Sequence, residues 1–239
     1  MKNLTTTLFL TITVIFLAFA LLVPESADAT ENSLYPTLTT DGWEEIIFED
    51  KRPNLYAVCG LGCIQIKTNS SVSMIGKLVT VDLDLNPVLN WEWKIRKKIT
   101  SSDLSVKGKD DRAIAVYVTF PYNPDTATLF ERLKRPLVEI WRGSDTPSRG
   151  ISYVWAASGV IGEVISSPYF GESNIMIIAR NGKDLVNSWI TERVDVAADH
   201  ERVFGFAPTV AAHLMISADS DDTGTRNQAF VKGLRFTRN

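Results

Sequence analysis

Histidine and cysteine are scarce in this chain: its 239 residues contain two of each. That shortage narrows the available chemistry before any motif is read. A structural or catalytic zinc needs three or four closely spaced donors. Cys59 and Cys63 would supply two sulfurs, but His200 and His213 stand in no spacing relation to them or to each other. Neither histidine is accompanied by a nucleophile elbow, which leaves a serine-triad hydrolase without support. A basic surplus is missing too. With 25 Lys and Arg against 28 Asp and Glu, the formal net charge is −3. That balance offers nothing to draw in nucleic acid or an anionic lipid. Basic residues are scattered except at Arg96-Lys97-Lys98, which reads as a solvated strand end. No repeat, low-complexity tract or long linker divides the chain.

The long apolar run that does occur is N-terminal. Lys2 gives a short basic start, Leu4 to Val23 carries no charge, and Pro24 breaks the run before Ala27-Asp28-Ala29. The small-x-small pattern predicts a signal peptide over residues 1–29 and a single mature domain over 30–239. The run also approaches the roughly 20 residues that span a bilayer, so membrane attachment follows if the segment is not cleaved. No cysteine precedes Cys59, which excludes lipid attachment at the boundary. The expected location is periplasmic or secreted. Export favours oxidation, yet residues four apart on an extended strand lie about 13 Å apart, against roughly 4.4–6.8 Å between disulfide-bonded Cα atoms. A Cys59–Cys63 bond therefore needs a tight turn, which Gly60 and Gly62 permit. The bond and a pair of half-buried thiols are equal alternatives.

Period-two alternation dominates the rest. Val79 to Leu85 and Leu89 to Ile95 alternate apolar with polar residues, as half-buried strands require. Ala113 to Phe120 is apolar on both faces and reads as a central strand. Trp43 to Phe48, Ile151 to Trp155, Ile175 to Ala179, Trp189 to Val194, Val210 to Ala218 and Gln228 to Phe236 complete the set. One helix is expected from Thr126 to Lys134, with Asp125 as its cap and Pro136 beyond it. Another runs from Val196 to Phe204 between Asp195 as N-cap and Gly205 as the terminating left-handed residue. The prediction is a mostly β fold, an antiparallel β-sandwich of jelly-roll type with one or two short helices.

The run Asp219-Ser220-Asp221-Asp222-Thr223-Gly224 places three carboxylates and a turn glycine between two of these strands. It imitates the opening of an EF-hand loop, but the position that needs a bidentate glutamate is Phe230. A calcium site at Asp219, Asp221 and Asp222 would have to recruit a distant acid, and Asp110 or Asp111 is the expected partner. The alternative is a solvated turn whose Asp and Gly side chains serve the backbone. Trp91 with Trp93, and Tyr153 with Trp155, share strand faces at i, i+2 and belong in a core. Tyr169 and Phe170 follow Pro168 in a loop and are the aromatics placed to meet a ligand. Glu92 and Glu192 are the weak choices for a catalytic acid–base pair. Glu192 also has a simpler role, an ion pair with Arg193 or Arg235.

The segments Leu89 to Lys94, Asp110-Asp111, Tyr153 to Ala156, Trp189 to Asp199, Phe204-Gly205, Asp219 to Gly224 and Gly233 to Phe236 together resemble the DUF3047 family of uncharacterised bacterial exported proteins. The resemblance spans most of the chain after the leader and implies an exported bacterial β-sandwich, with no activity attached. The expected function is a ligand-binding module for glycan or cell-envelope material. A polysaccharide-acting enzyme and a structural envelope protein are the alternatives.

Overall fold

The computed structural model describes residues 36–99, 101–127, 132, 147–182 and 184–239. The leader expected over residues 1–29, and most of the helix expected from Thr126 to Lys134, lie outside them. The described elements are α1 (Pro36–Thr40), β1 (Glu44–Ile47), β2 (Leu55–Gly60), β3 (Cys63–Asn69), β4 (Val72–Asp82), β5 (Val88–Ile95), β6 (Ile114–Phe120), β7 (Arg149–Trp155), β8 (Val164–Ser167), β9 (Gly171–Arg180), β10 (Ile190–Asp195), α2 (Val196–Phe204), β11 (Val210–Asp219) and β12 (Arg226–Thr237). They form two sheets, one of seven strands in the order β1-β4-β11-β6-β7-β9-β8 and one of five in the order β10-β5-β12-β3-β2. This is the jelly-roll type of sandwich. One pairing departs from the antiparallel expectation: β9 runs parallel to β7. A parallel neighbour requires a crossover, and here the crossover carries β8, which then pairs antiparallel with β9 along the edge.

Alternation decides what lies between the sheets. Leu89, Trp91, Trp93 and Ile95 of β5 point inward, as do Tyr153 and Trp155 of β7. Trp91 lies 5.6 Å from Tyr153 and Trp93 lies 5.6 Å from Trp155, centroid to centroid, so the two sheets meet through tilted pairs of aromatic rings. Such pairs add about 0.5–1.5 kcal/mol each beyond the area they bury. Strand β6 is buried on both faces. Its outward residues Ala115 and Tyr117 join Val154, Met176, Ile178 and Leu104 in a second apolar cluster on the outer side of the seven-stranded sheet.

Helix α2 starts and stops where its capping residues require: the Asp195 side chain accepts from the Ala198 N–H, and Gly205 is left-handed at φ 85°. The period-two segment from Val79 ends earlier than expected. β4 stops at Asp82, whose Oδ1 accepts from the N–H groups of Asp84 (3.0 Å) and Leu85 (3.1 Å) and turns the chain. The hairpin β2–β3 and strand β8 were not among the expected strands. Cys59 and Cys63 close that hairpin as a disulfide with Cα atoms 5.0 Å apart, across a turn in which Gly60 and Gly62 both have positive φ.

A buried polar knot fixes the start of β2 against the other sheet. Asn54 Nδ2 donates to the carbonyls of Ala218 (2.8 Å) and Ser73 (3.1 Å), and its Oδ1 accepts from Ser71 Oγ (2.8 Å). Tyr56 Oη donates to the same Ser73 carbonyl at 2.7 Å. These bonds hold the segment before β2 beside the end of β11, and so deliver Lys51 to the loop that follows β11.

Candidate functional site

Strand β11 ends at Asp219, and the loop 220–225 returns the chain to β12. The chain just before β6 runs beside this loop and brings Asp110, Asp111 and Arg112 to it. Asp111 is fully buried and acts as the acceptor around which the loop folds. It takes the N–H of Asp222 (3.2 Å) and both the N–H (2.8 Å) and the hydroxyl (2.5 Å) of Thr223. Asp222 returns the contact by accepting from the Asp110 N–H at 3.2 Å. Carboxylate oxygens of Asp111, Asp219 and Asp221 all lie within 4.8 Å of one another.

The structure therefore brings together the five acids singled out in the sequence, and it supplies two cations that were not. Arg112 reaches Asp110 at 3.3 Å and Asp219 at 3.4 Å, with Nη1 3.8 Å from Met176 Sδ. Burial works against its charge, but Tyr117, Asp219 and Asp110 more than offset this and raise its pKa. Lys51 forms an ion pair with Asp221. Asp219 is only 6% exposed. Burial pushes its carboxyl well above the usual range against the pull of Arg112, and the adjacent Asp221 pushes the same way. Asp221 moves down: burial opposes its charge, but hydrogen bonds from Asp219 and Lys51 prevail. The two carboxyls therefore shift in opposite directions, Asp219 up and Asp221 down. Asp219 Oδ1 is buried with no hydrogen-bond partner among the described residues.

Calcium takes six to eight oxygens, and several of the carboxylate oxygens here are already engaged. The Asp111 oxygens accept from the loop, Asp219 Oδ2 faces Arg112, and Asp221 holds Lys51. The expected calcium position is thus one where Arg112 and Lys51 already place positive charge beside Asp219 and Asp221.

Tyr169 and Phe170 occupy the turn between β8 and β9, with 50% and 59% of their surfaces exposed. Tyr169 stands at the edge of the acid cluster. Partial burial, then the charges of Asp110 and Asp222, raise its phenol pKa, and Lys107 Nζ lies 5.1 Å from its ring centroid. Glu92 and Glu192 do not meet. Glu192 sits opposite Trp91 on the core face of the five-stranded sheet, whereas Glu92 faces outward opposite Lys232. Glu192 accepts from Trp93 Nε1 (2.9 Å) and pairs with Arg180 through bonds of 2.6 and 3.1 Å. Its ion-pair partner is thus Arg180 of the other sheet, in place of Arg193 or Arg235. Glu92 pairs with Lys232 at 3.2 Å. Two carboxylates on opposite faces of a sheet share no cleft.

Sequence reasoning missed Lys51 and Arg112. Arg112 carried one signal, its position directly after Asp110-Asp111, because buried acids demand a cation. Lys51 carried none, since 170 residues separate it from Asp221.

The family model described as "Protein of unknown function (DUF3047)" matches residues 41–235. No curated protein matches the sequence. Similar solved structures include the xyloglucanase domain of NopAA, a type three effector from Sinorhizobium fredii, in complex with cellobiose. It is 9% identical, with 83% of this chain and 95% of that one covered at a TM-score of 0.44. Endoglucanase Cel12A from Rhodothermus marinus is 10% identical, covering 78% and 86% at 0.42. The family 30 carbohydrate-binding module of the cellulosomal cellulase Cel9D-Cel44B of Clostridium thermocellum is 11% identical, covering 82% and 86% at 0.35.

Proposed function

The chain belongs to the DUF3047 family, a membership that brings no activity with it, and we propose that it is an exported, non-catalytic module, with residues 30–239 as its mature domain, that binds glycan or other polyhydroxylated cell-envelope material. The ligand docks at the rim where Tyr169, followed in the chain by Phe170, comes near Asp222, while Asp110 is buried and positions Asp222. One observation carries this reading: a half-exposed phenol ring lies near an anchored, partly exposed carboxylate, that of Asp222. A sugar presents an apolar C–H face, which an aromatic ring covers, and hydroxyl donors, which carboxylates accept. Anchoring matters because a pre-set acceptor loses little entropy on binding. Arg112 holds Asp110 by an ion pair, and the Asp110 N–H holds Asp222.

Catalysis finds less support. Glycoside hydrolysis needs two carboxyls roughly 5–10 Å apart across a cleft. Glu92 and Glu192 fail that test, and Asp219 is buried among its own partners. Export is supported by the Cys59–Cys63 disulfide, since such bonds persist in oxidising compartments. Among the described residues no helix is long and apolar enough to cross a membrane.

A glycan array with the mature domain tests the proposal. Neutral oligosaccharides should bind, Tyr169→Ala should lower affinity about tenfold or more, and Asp222→Asn should lower it less. An empty array at high protein concentration would defeat this reading and favour a structural envelope role.

A further inference from the structure

The outer face of the five-stranded sheet carries a charge distribution that the chain as a whole does not. Outward positions alternate with the tryptophan-bearing core positions, and at them β3, β5, β10 and β12, with the chain just past β5, place Lys67, Lys94, Arg96, Arg193, Lys232 and Arg235. The acids on this face are Glu92, paired with Lys232, and Asp195, which caps α2. The formal charge of the whole chain is −3, so the face is strongly basic on an acidic molecule. Arg193 and Arg235 flank Asn90 from either side at one end. Lys67, opposite Gln228, and Arg96 lie at the other. From Asn90 to Arg96 the strand advances about 20 Å.

Between these ends the cations are held down by rings. Lys94 Nζ lies 4.7 Å from the centroid of Trp189 and 4.6 Å from that of Phe230, Lys232 Nζ lies 4.3 Å from Trp189, and the Arg96 guanidinium lies 5.5 Å from Phe230. Each such contact is worth about 0.5–1 kcal/mol at an exposed site. The outcome is a row of positive groups at set positions along neighbouring strands, rather than charges on free arms. Lys67, Arg96, Arg193 and Arg235 are exposed.

We infer that this face binds an acidic polysaccharide, a chain that bears carboxylates at regular intervals. Three features select that partner. The charge calls for an anion, and its spread over about 20 Å of strand calls for an extended one. The aromatic residues are the third: Phe230 is only 7% exposed and Trp189 is flanked by two ammonium groups. They offer neither an apolar wedge to insert into a lipid surface nor a free ring on which a nucleic-acid base could stack. The inference is independent of the rim site around Tyr169.

Calorimetric titration of the native mature domain with polygalacturonate, at low salt and again near 0.15 M salt, tests it. Binding should appear and should weaken as salt rises. The double variant Lys67→Glu, Arg193→Glu changes exposed side chains with little cost to folding, and should lower affinity at least about tenfold. Tyr169→Ala should leave polygalacturonate binding unchanged, which separates this face from the rim. No binding by the native protein, or equal binding by the double variant, would overturn the inference. So would tighter binding to phosphatidylglycerol vesicles or to duplex DNA under the same conditions.

Discussion

The acid cluster behind β11 and the basic face of the five-stranded sheet are both accumulations of like charge, and they are built in opposite ways. The cluster is largely buried, lies where chain segments converge from distant parts of the sequence, and is compensated from within by Arg112 and Lys51. The basic face is exposed, sits on regular strands, and leaves most of its charge unopposed. Burial makes the difference. Away from water an unpaired charge costs several kcal/mol, so cations must accompany the acids. On a solvated face, screening over about 8–10 Å lets like charges sit on neighbouring strands at small cost. Compensation thus marks charge that organises the fold, and its absence marks charge available to a partner.

The largest test of this contrast is Arg112→Met. It strips the cation from Asp110 and Asp219 and should cost about 3–5 kcal/mol in urea unfolding. Adding Asp219→Asn should recover part of that loss, and strict additivity of the two changes would contradict the pairing. Asp111→Ala, which removes the acceptor of three loop donors, should cost about 3 kcal/mol, and Asp111→Asn less. Lys51→Gln is milder, at about 1 kcal/mol or below, because the lysine is partly exposed. It also vacates the position facing Asp221, so calcium should raise the melting temperature of this variant more than that of the native protein. Equal shifts would mean that Lys51 does not stand in for an ion.

The dependence on pH follows from Asp219. Its folded pKa is raised, so between the ordinary carboxylate value and the raised one the native state binds more protons than the unfolded chain. Its contribution is fully present below the ordinary value and fades as pH rises through the folded one. Asp219→Asn, permanently neutral, should remove that decline from the stability profile. The smallest effect belongs to the basic face. Arg193→Ala should change stability by no more than about 0.5 kcal/mol, and a large loss would show that the face serves folding after all.

Much of the fold could be read from the chain, and the reasons are local. Trp91 and Trp93 alternate with Asn90, Glu92 and Lys94, so β5 and its inward face followed directly. Asp195 and Gly205 bracketed α2 because capping is decided within a few residues. The β2–β3 hairpin also had a signal, since Ile64 and Ile66 alternate with Gln65 and Lys67, but the two cysteines beside it drew the reading toward bond geometry. Asp110 and Asp111 were named as partners of the loop, and Arg112 directly after them was the one hint of a cation, whereas nothing in either segment pointed to Lys51. Glu192 was matched to Arg193 or Arg235, and its partner Arg180 lies across the sandwich. The basic face was missed because net charge averages over a molecule, whereas alternation sorts charges by side. Scattered in sequence, those six side chains are gathered by a period of two.

The disulfide at the tip of the β2–β3 hairpin closes a loop between residues only four apart. Restricting so short a loop removes little freedom from the unfolded chain, about 2 kcal/mol in the chain-entropy view, and the aromatic layer between the sheets does not depend on it. The bond is therefore less a fastening of the sandwich than a chemical record of where the polypeptide matured. Chains made in a reducing compartment should fold to the same architecture with two thiols, and the mass difference of two hydrogens would report which route a given molecule had taken.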